Sequence, residues 1–129
     1  MSKSLAAATT GIINQTKRVT LHDHPRWCLS DWSQMLGLMF TKPGAHHCLI
    51  FPFLPSRVAR LHMWFVFAPI DIVCLDGKGL VVALKEDFRP WTYWSSETHV
   101  SCVIELPHGT IRRTSTRTGD RVILPRPPL

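Results

Sequence analysis

The stretch His62–Gly79, HMWFVFAPIDIVCLDGKG, limits the possible folds more than any other part of the chain. It is the most apolar segment, yet its unbroken apolar run covers only Met63–Ile70 before Asp71 intervenes. A membrane-spanning helix needs about 20 such residues, and Pro69 would break the hydrogen bonding of any helix continued through it. The segment therefore divides at a Pro69 bend into two buried strands, LHMWFVF (61–67) and IDIVCLD (70–76), both rich in aromatic or β-branched residues. In the second, Ile70, Ile72 and Cys74 share one face and Asp71, Val73 and Leu75 the other. The Asp76-Gly77-Lys78-Gly79 sequence then supplies the backbone freedom of a tight hairpin turn, and LVVALKE returns antiparallel.

The flanking sequence repeats this pattern of short strands and turn signals. GIINQ and KRVTL read as strands around a polar turn, and HDHPRWC as a loop. LSDWSQMLGLMF begins with a helix that Ser30 can cap, Asp31 in its first turn and Gly37 at its end. HHCLIFPF is a buried strand ending near Pro52, and LPSRVAR a connection. FRPWTYW is an aromatic loop or short strand. THVSCVIEL alternates Val100, Cys102, Ile104 and Leu106 against His99, Ser101, Val103 and Glu105, which predicts one buried face and one facing solvent or a cleft. PHGTIRRTST is a turn or one short helix with Pro107 at an early position, and a Gly turn leads into a last strand in RTGDRVIL. The expected architecture is mainly β: a single compact β-barrel or jelly-roll-like sandwich with one or two short helices. The expected organisation is a flexible N-terminus over residues 1–10, a single β domain over residues 11–124 and a Pro-rich tail over residues 125–129.

Four cysteines without a CxxC pair give no zinc-ribbon or redox motif and read as buried free thiols. With no apolar run long enough for a signal-peptide core, the expected location is cytoplasmic. The formal net charge of +6 is uneven. Residues 1–107 hold ten Lys/Arg against eight Asp/Glu, whereas residues 108–129 hold Arg112, Arg113, Arg117, Arg121 and Arg126 against Asp120 alone. Such an end is a solvated surface or a basic patch for phosphates or an acidic partner.

Taken in order, GLMF (37–40), CLIFPF, HMWFVFAPIDIVCLDGKGLVVALKEDFRPW, VIELPHGTI and TGDRV resemble the conserved prokaryotic family catalogued as domain of unknown function 192, over residues 12–124. The resemblance implies a compact β-barrel or jelly-roll-like domain and no established activity. Many members carry WMKNT where this chain has HMWFV (His62–Val66), so Trp64, Phe65 and Val66 replace a polar group. An Arg shortly before GLM in many members is Gln34 here. The chain looks most like the cytoplasmic, archaeal-type variants.

Several residues are candidates for chemistry. Asp71, a carboxylate among apolar neighbours, needs hydrogen bonds or a cation. It is either a tie for the Pro69 bend through backbone N–H groups or a ligand-binding or catalytic group. His62 and Trp64 flank the same segment. Trp91, Tyr93 and Trp94 after Arg89 form either a cover over one end of the fold or a platform for a ligand. Glu105 and Asp120 organise turns or act as an acid/base pair. His22 and His24 form an HxH, with His46 and His47 downstream, but Pro25 makes that region a loop without a third ligand at a clear spacing, so no metal site and no cofactor are expected. GxSxG, P-loop and GxGxxG motifs do not occur.

The leading expectation is a non-enzymatic accessory domain. It would take a small polar ligand or a protein segment at a mouth formed by Asp71, His62, Trp64, Trp91, Trp94 and Glu105. One alternative is a small hydrolase-like enzyme using Asp71 with His62 or Glu105, which requires those groups within hydrogen-bond reach. The other is nucleic-acid binding by the basic end (Arg112, Arg113, Arg117, Arg121) together with the aromatic loop.

Overall fold

The structure, a computed structural model, describes residues 10–30 and 42–128. The elements are β1 (Ile12–Asn14), β2 (Val19–His22), β3 (Arg26–Trp27), β4 (Leu49–His62), β5 (Ile70–Leu75), β6 (Val81–Phe88), β7 (Tyr93–Pro107), helix α1 (Thr110–Thr114) and β8 (Val122–Ile123). The helix expected from Ser30 falls on residues outside the described ones.

Two sheets form, of order β2-β1-β8 and β3-β4-β7-β5-β6. They are not closed into a barrel, and they stack in the manner of a sandwich. Ile12, Leu21 and Val122 of the small sheet join Ile50, Val73, Leu75, Cys102, Ile104 and Leu106 of the large one, with Ile111 of α1, in a single apolar cluster. The opposite face of the large sheet carries a second cluster, including Leu49, Phe51, Ile70, Ile72, Cys74, Val103, Met63 and Val66. All six residues of β5 are therefore buried. A strand covered on both faces reads as a continuous apolar run, and that is the origin of the membrane-like IDIVCL sequence.

The Asp76 hairpin forms as expected: β5 and β6 pair antiparallel from Ile70↔Phe88 to Leu75↔Val81. Asp76 Oδ1 accepts the N–H groups of Lys78 and Leu80 at 2.9 and 3.0 Å, which fixes the turn. Gly79, at φ +83, takes the left-handed position, and an added Cβ there would lie 3.0 Å from the Val122 carbonyl oxygen.

Four expectations need correction. Residues 54–60 are not a connection: β4 runs through them, with Arg57 opposite Val100 and Arg60 opposite Ser95. Register shifts after Pro52 and Val58 absorb the residues that spoil the pattern. Second, LHMWFVF is not a strand. β4 ends at His62, and Phe65 turns back with φ +61. Third, HDHPRWC is not wholly loop, because Arg26–Trp27 pairs parallel to Leu49–Ile50. Two residues are too few to leave a pattern. Fourth, the second face of THVSCVIEL meets solvent only at His99 and partly at Ser101; Val103 and Glu105 are buried beneath the second cluster.

Candidate functional site

The only large aromatic side chains left half exposed among the described residues gather at one place. β4 ends and β7 begins side by side, His62 opposite Tyr93. The loops that leave them, 63–69 and 89–92, are locked together by backbone hydrogen bonds. Met63 N–H donates to the Thr92 carbonyl and Trp91 N–H to the Met63 carbonyl, both at 2.8 Å. Thr92 Oγ1 closes the second loop by donating to the Arg89 carbonyl at 2.6 Å. Met63 and Val66 anchor the first loop in the core, each 1% exposed.

This arrangement turns the intervening residues outward. Trp64, Phe65, Phe67, Trp91 and Tyr93 are 42–60% exposed. The rings form a row. His62 stacks on Trp64 with centroids 6.1 Å apart, Trp64 lies 6.1 Å from Trp91 at a tilt of 44°, and Phe65 meets Trp91 edge-on at 5.0 Å. Trp64 N–H donates to His62 Nδ1 at 3.3 Å, which orients the imidazole. Phe65 and Trp91 both have left-handed backbones, φ +61 and +65. Bulky side chains in that region cost on the order of 1–3 kcal/mol each.

Beside the ledge lies an open, polar trough of about 320 Å³ lined by Lys85, Glu86, Asp87, Arg89, Thr92 and Tyr93. Asp87 is shared in it, with Arg89 Nε at 2.8 Å and His108 Nε2 at 3.0 Å. Trp94, expected to join the ledge, instead packs half-buried against the second cluster.

Asp71 lines neither the trough nor the aromatic row. It sits opposite Leu106 on β7 and touches the trough only through the backbone of Asp87. It is 1% exposed, and both its oxygens are engaged: Oδ1 accepts Asp87 N–H at 3.0 Å and Oδ2 accepts Ile111 N–H at 2.8 Å. Gly109, the residue that precedes α1, has no side chain to cap the helix, and Asp71 supplies the acceptor from across the fold. The tie expected at the Pro69 bend is thus made to β6 and α1.

Glu105 faces the other side of the sheet from Asp71, opposite Leu49 and Ile72. His47 Nε2 lies 3.4 Å from its Oε2. Burial pushes the Glu105 carboxyl above its ordinary value, and the His47 hydrogen bond and charge only partly oppose this. Asp120 behaves oppositely. Burial raises it, but hydrogen bonds from Asn14, the Arg117 N–H and Lys17 outweigh that and hold it below the usual carboxylate range. The three acids occupy three separate environments, so neither Asp71 with Glu105 nor Asp71 with His62 forms a pair. Of the histidines, His22 Nε2 contacts the Ala45 carbonyl at 3.2 Å and its Nδ1 accepts His24 N–H. Arg112, Arg113, Arg117 and Arg121 are exposed on and after α1, apart from the aromatic row.

Sequence reasoning found His62, Trp64, Trp91 and Tyr93 but missed Phe65 and Phe67. Their composition reads as core, and only the left-handed turn at Phe65 reverses that.

Among the described residues no helix is long and apolar enough to cross a membrane. Residues 15–124 match the family described as DUF192, Uncharacterized ACR. A UPF0127 protein of Thermococcus sibiricus is 32% identical over 114 residues, covering 86% of this chain and 72% of that one. A UPF0127 protein of Pyrococcus horikoshii is 30% identical over 112 residues, covering 86% and 96%. Among solved structures, a Sinorhizobium meliloti 1021 protein described as a candidate transcription regulator superposes with a TM-score of 0.75 at 24% identity, covering 87% of this chain and 88% of its own. A Novosphingobium aromaticivorans protein of unknown function gives 0.74 at 23%, covering 87% and 81%. These two likenesses show a shared fold.

Proposed function

The chain belongs to the DUF192 family of uncharacterised proteins, and from that premise we propose that it is a non-enzymatic accessory domain that captures a segment of a partner protein on its aromatic ledge. The observation that carries this reading is the row His62–Trp64–Trp91–Phe65, half exposed and held rigid by the paired loops. Interface energy concentrates in Trp, Tyr and Arg side chains that need little further ordering. Trp64, Trp91, Tyr93 and Arg89 supply all three types within one surface. The left-handed backbone at Phe65 and Trp91 supports the same reading, since such strain gathers where exposure of a side chain is useful.

A protein segment fits better than a small molecule. Small-molecule pockets are enclosed and largely apolar, whereas here the apolar part is a raised surface and the adjoining trough is open and charged. Apolar side chains of a segment would lie against the rings, with its polar groups over Lys85, Glu86 and Arg89. The non-enzymatic reading is supported by Asp71, whose oxygens are both committed to backbone N–H groups, and by Glu105, on the opposite side of the sheet. Four buried free thiols are in keeping with a cytoplasmic location.

The test is selection from a displayed peptide library on the intact protein. Affinities of enriched peptides are then measured on the parent, on Trp64→Ala and on Trp91→Gly. Both variants should weaken binding at least tenfold while the circular dichroism spectrum stays unchanged. No enrichment, peptides indifferent to both variants, or retention of simple saccharides in place of peptides would each count against the proposal.

A further inference from the structure

We propose that the end of the molecule opposite the aromatic ledge is a docking surface for the phosphate backbone of a nucleic-acid duplex. Three segments converge there: the turn 15–18, the hairpin turn 76–79 and the loop 115–121. They are tied into one rigid surface. Gln15 N–H donates to the Arg121 carbonyl, Arg121 N–H to Thr16 Oγ1 and Val122 N–H to the Gly79 carbonyl, all at 2.8 Å. The Arg121 guanidinium donates to the Lys78 carbonyl at 2.9 Å.

The charges on this surface are sorted. Its carboxylates are engaged: half-exposed Asp76 accepts two backbone N–H groups of its turn through Oδ1, and buried Asp120 is consumed by Asn14, Lys17 and the Arg117 N–H. Its cations turn outward. Arg18, Lys78, Arg117 and Arg121 are exposed, and none forms an ion pair with a carboxylate among the described residues. A rigid field of unpaired cations on backbone-braced turns is complementary to a repeating anion.

The absence of apolar groups narrows the partner. Among the described residues the exposed large apolar ones are Leu29, Leu54, Trp64, Phe65, Phe67, Trp91 and Tyr93, and none belongs to these three segments. Single strands are held largely by stacking on aromatic rings, and amphipathic membrane binding requires apolar side chains to insert. A surface with cations alone suits the outside of a duplex, where phosphate contacts give affinity without reading sequence. The six residues of β5 separate this end from the ledge by roughly 20 Å, so the site is independent of the proposed segment-binding function.

The experiment uses the intact protein and a labelled mixed-sequence 20-base-pair DNA duplex, with fluorescence anisotropy from 50 to 200 mM salt. Retention at 50 mM is expected, with log affinity falling against log salt at a slope of about −3 to −5, as for four or so neutralised phosphates. Arg18→Glu combined with Arg117→Glu should weaken binding at least tenfold and flatten the slope by about 2. Both side chains are exposed, so folding is expected to be kept; Lys78→Glu, on the hairpin turn, gives a second test on a different element. Trp91→Gly should leave duplex binding unchanged. Four results would overturn the proposal: no retention at 50 mM salt, salt-insensitive binding, tighter binding of a single strand of the same sequence, or displacement of the duplex by vesicles containing 30% phosphatidylserine at about equal charge concentration. Loss of binding in the Trp91 variant but not in the arginine variants would also overturn it.

Discussion

Replacing Asp71 with Asn keeps shape and volume but removes the charge and one acceptor. In the parent, two N–H groups point at two carboxylate oxygens, at 3.0 Å from Asp87 and 2.8 Å from Ile111. An amide can accept one of them; its NH₂ group must then face the other donor. Hydrogen bonds to a charged group contribute about 1.5–3 kcal/mol each. The half-buried Asp87 N–H can recover water, whereas Ile111 is 4% exposed and has no other cap. Asp71→Asn should therefore cost about 2–3 kcal/mol, and Asp71→Ala, which loses both bonds, about 3–5 kcal/mol. Urea denaturation should show a lower midpoint at unchanged slope, and amide exchange at Ile111 should accelerate beyond what the global loss explains. If Asp71→Asn stays within about 0.5 kcal/mol of the parent while peptide or nucleic-acid binding changes, the structural role assigned to this carboxylate is refuted.

Other outcomes follow from the remaining buried groups. Glu105→Gln should be more stable than the parent at pH 8. The burial-raised carboxyl contributes stability that is complete below its ordinary value of 4.5 and lost as pH rises through its folded value, so the gap in melting temperature should close toward pH 4. Asp120→Asn should behave in the opposite sense. The lowered carboxyl contributes stability above its ordinary 3.8 that is lost as pH falls through its folded value, so the variant's deficit at pH 7 should vanish in a melting series carried into strong acid. Burial pushes the Cys48, Cys74 and Cys102 thiols up to about 12, so iodoacetamide at pH 8 should leave these three unlabelled in the native protein and label them in guanidinium, as peptide mass mapping would show.

The sequence revealed most where local chemistry decides structure. The Asp76–Gly79 turn, β5 and the strand character of β7 were legible because turn residues and apolar period act over a few positions. It misled where long-range pairing decides. Prolines and arginines in residues 52–60 suggest a connection, yet pairing with β7 across register shifts keeps β4 extended. The aromatic run Trp64–Phe67 suggests a core strand, yet Thr92 and Trp91 capture the backbone of Met63, and Trp64, Phe65 and Phe67 turn out to solvent while Val66 stays in the core. The family resemblance located Asp71, but its partners lie 16 and 40 residues along the chain, beyond the reach of any local pattern.

The order β3-β4-β7-β5-β6 places β7 between strands that precede it in the chain. Until residues 93–107 are made, β4 has no neighbour along most of its length, and the β5–β6 hairpin shows a bare inner edge of apolar residues. During synthesis the first three-quarters of the molecule therefore lacks the strand that joins its parts. An unpaired apolar edge is a template for aggregation, so a nascent chain halted before Tyr93 should depend on chaperones far more than one halted beyond Pro107.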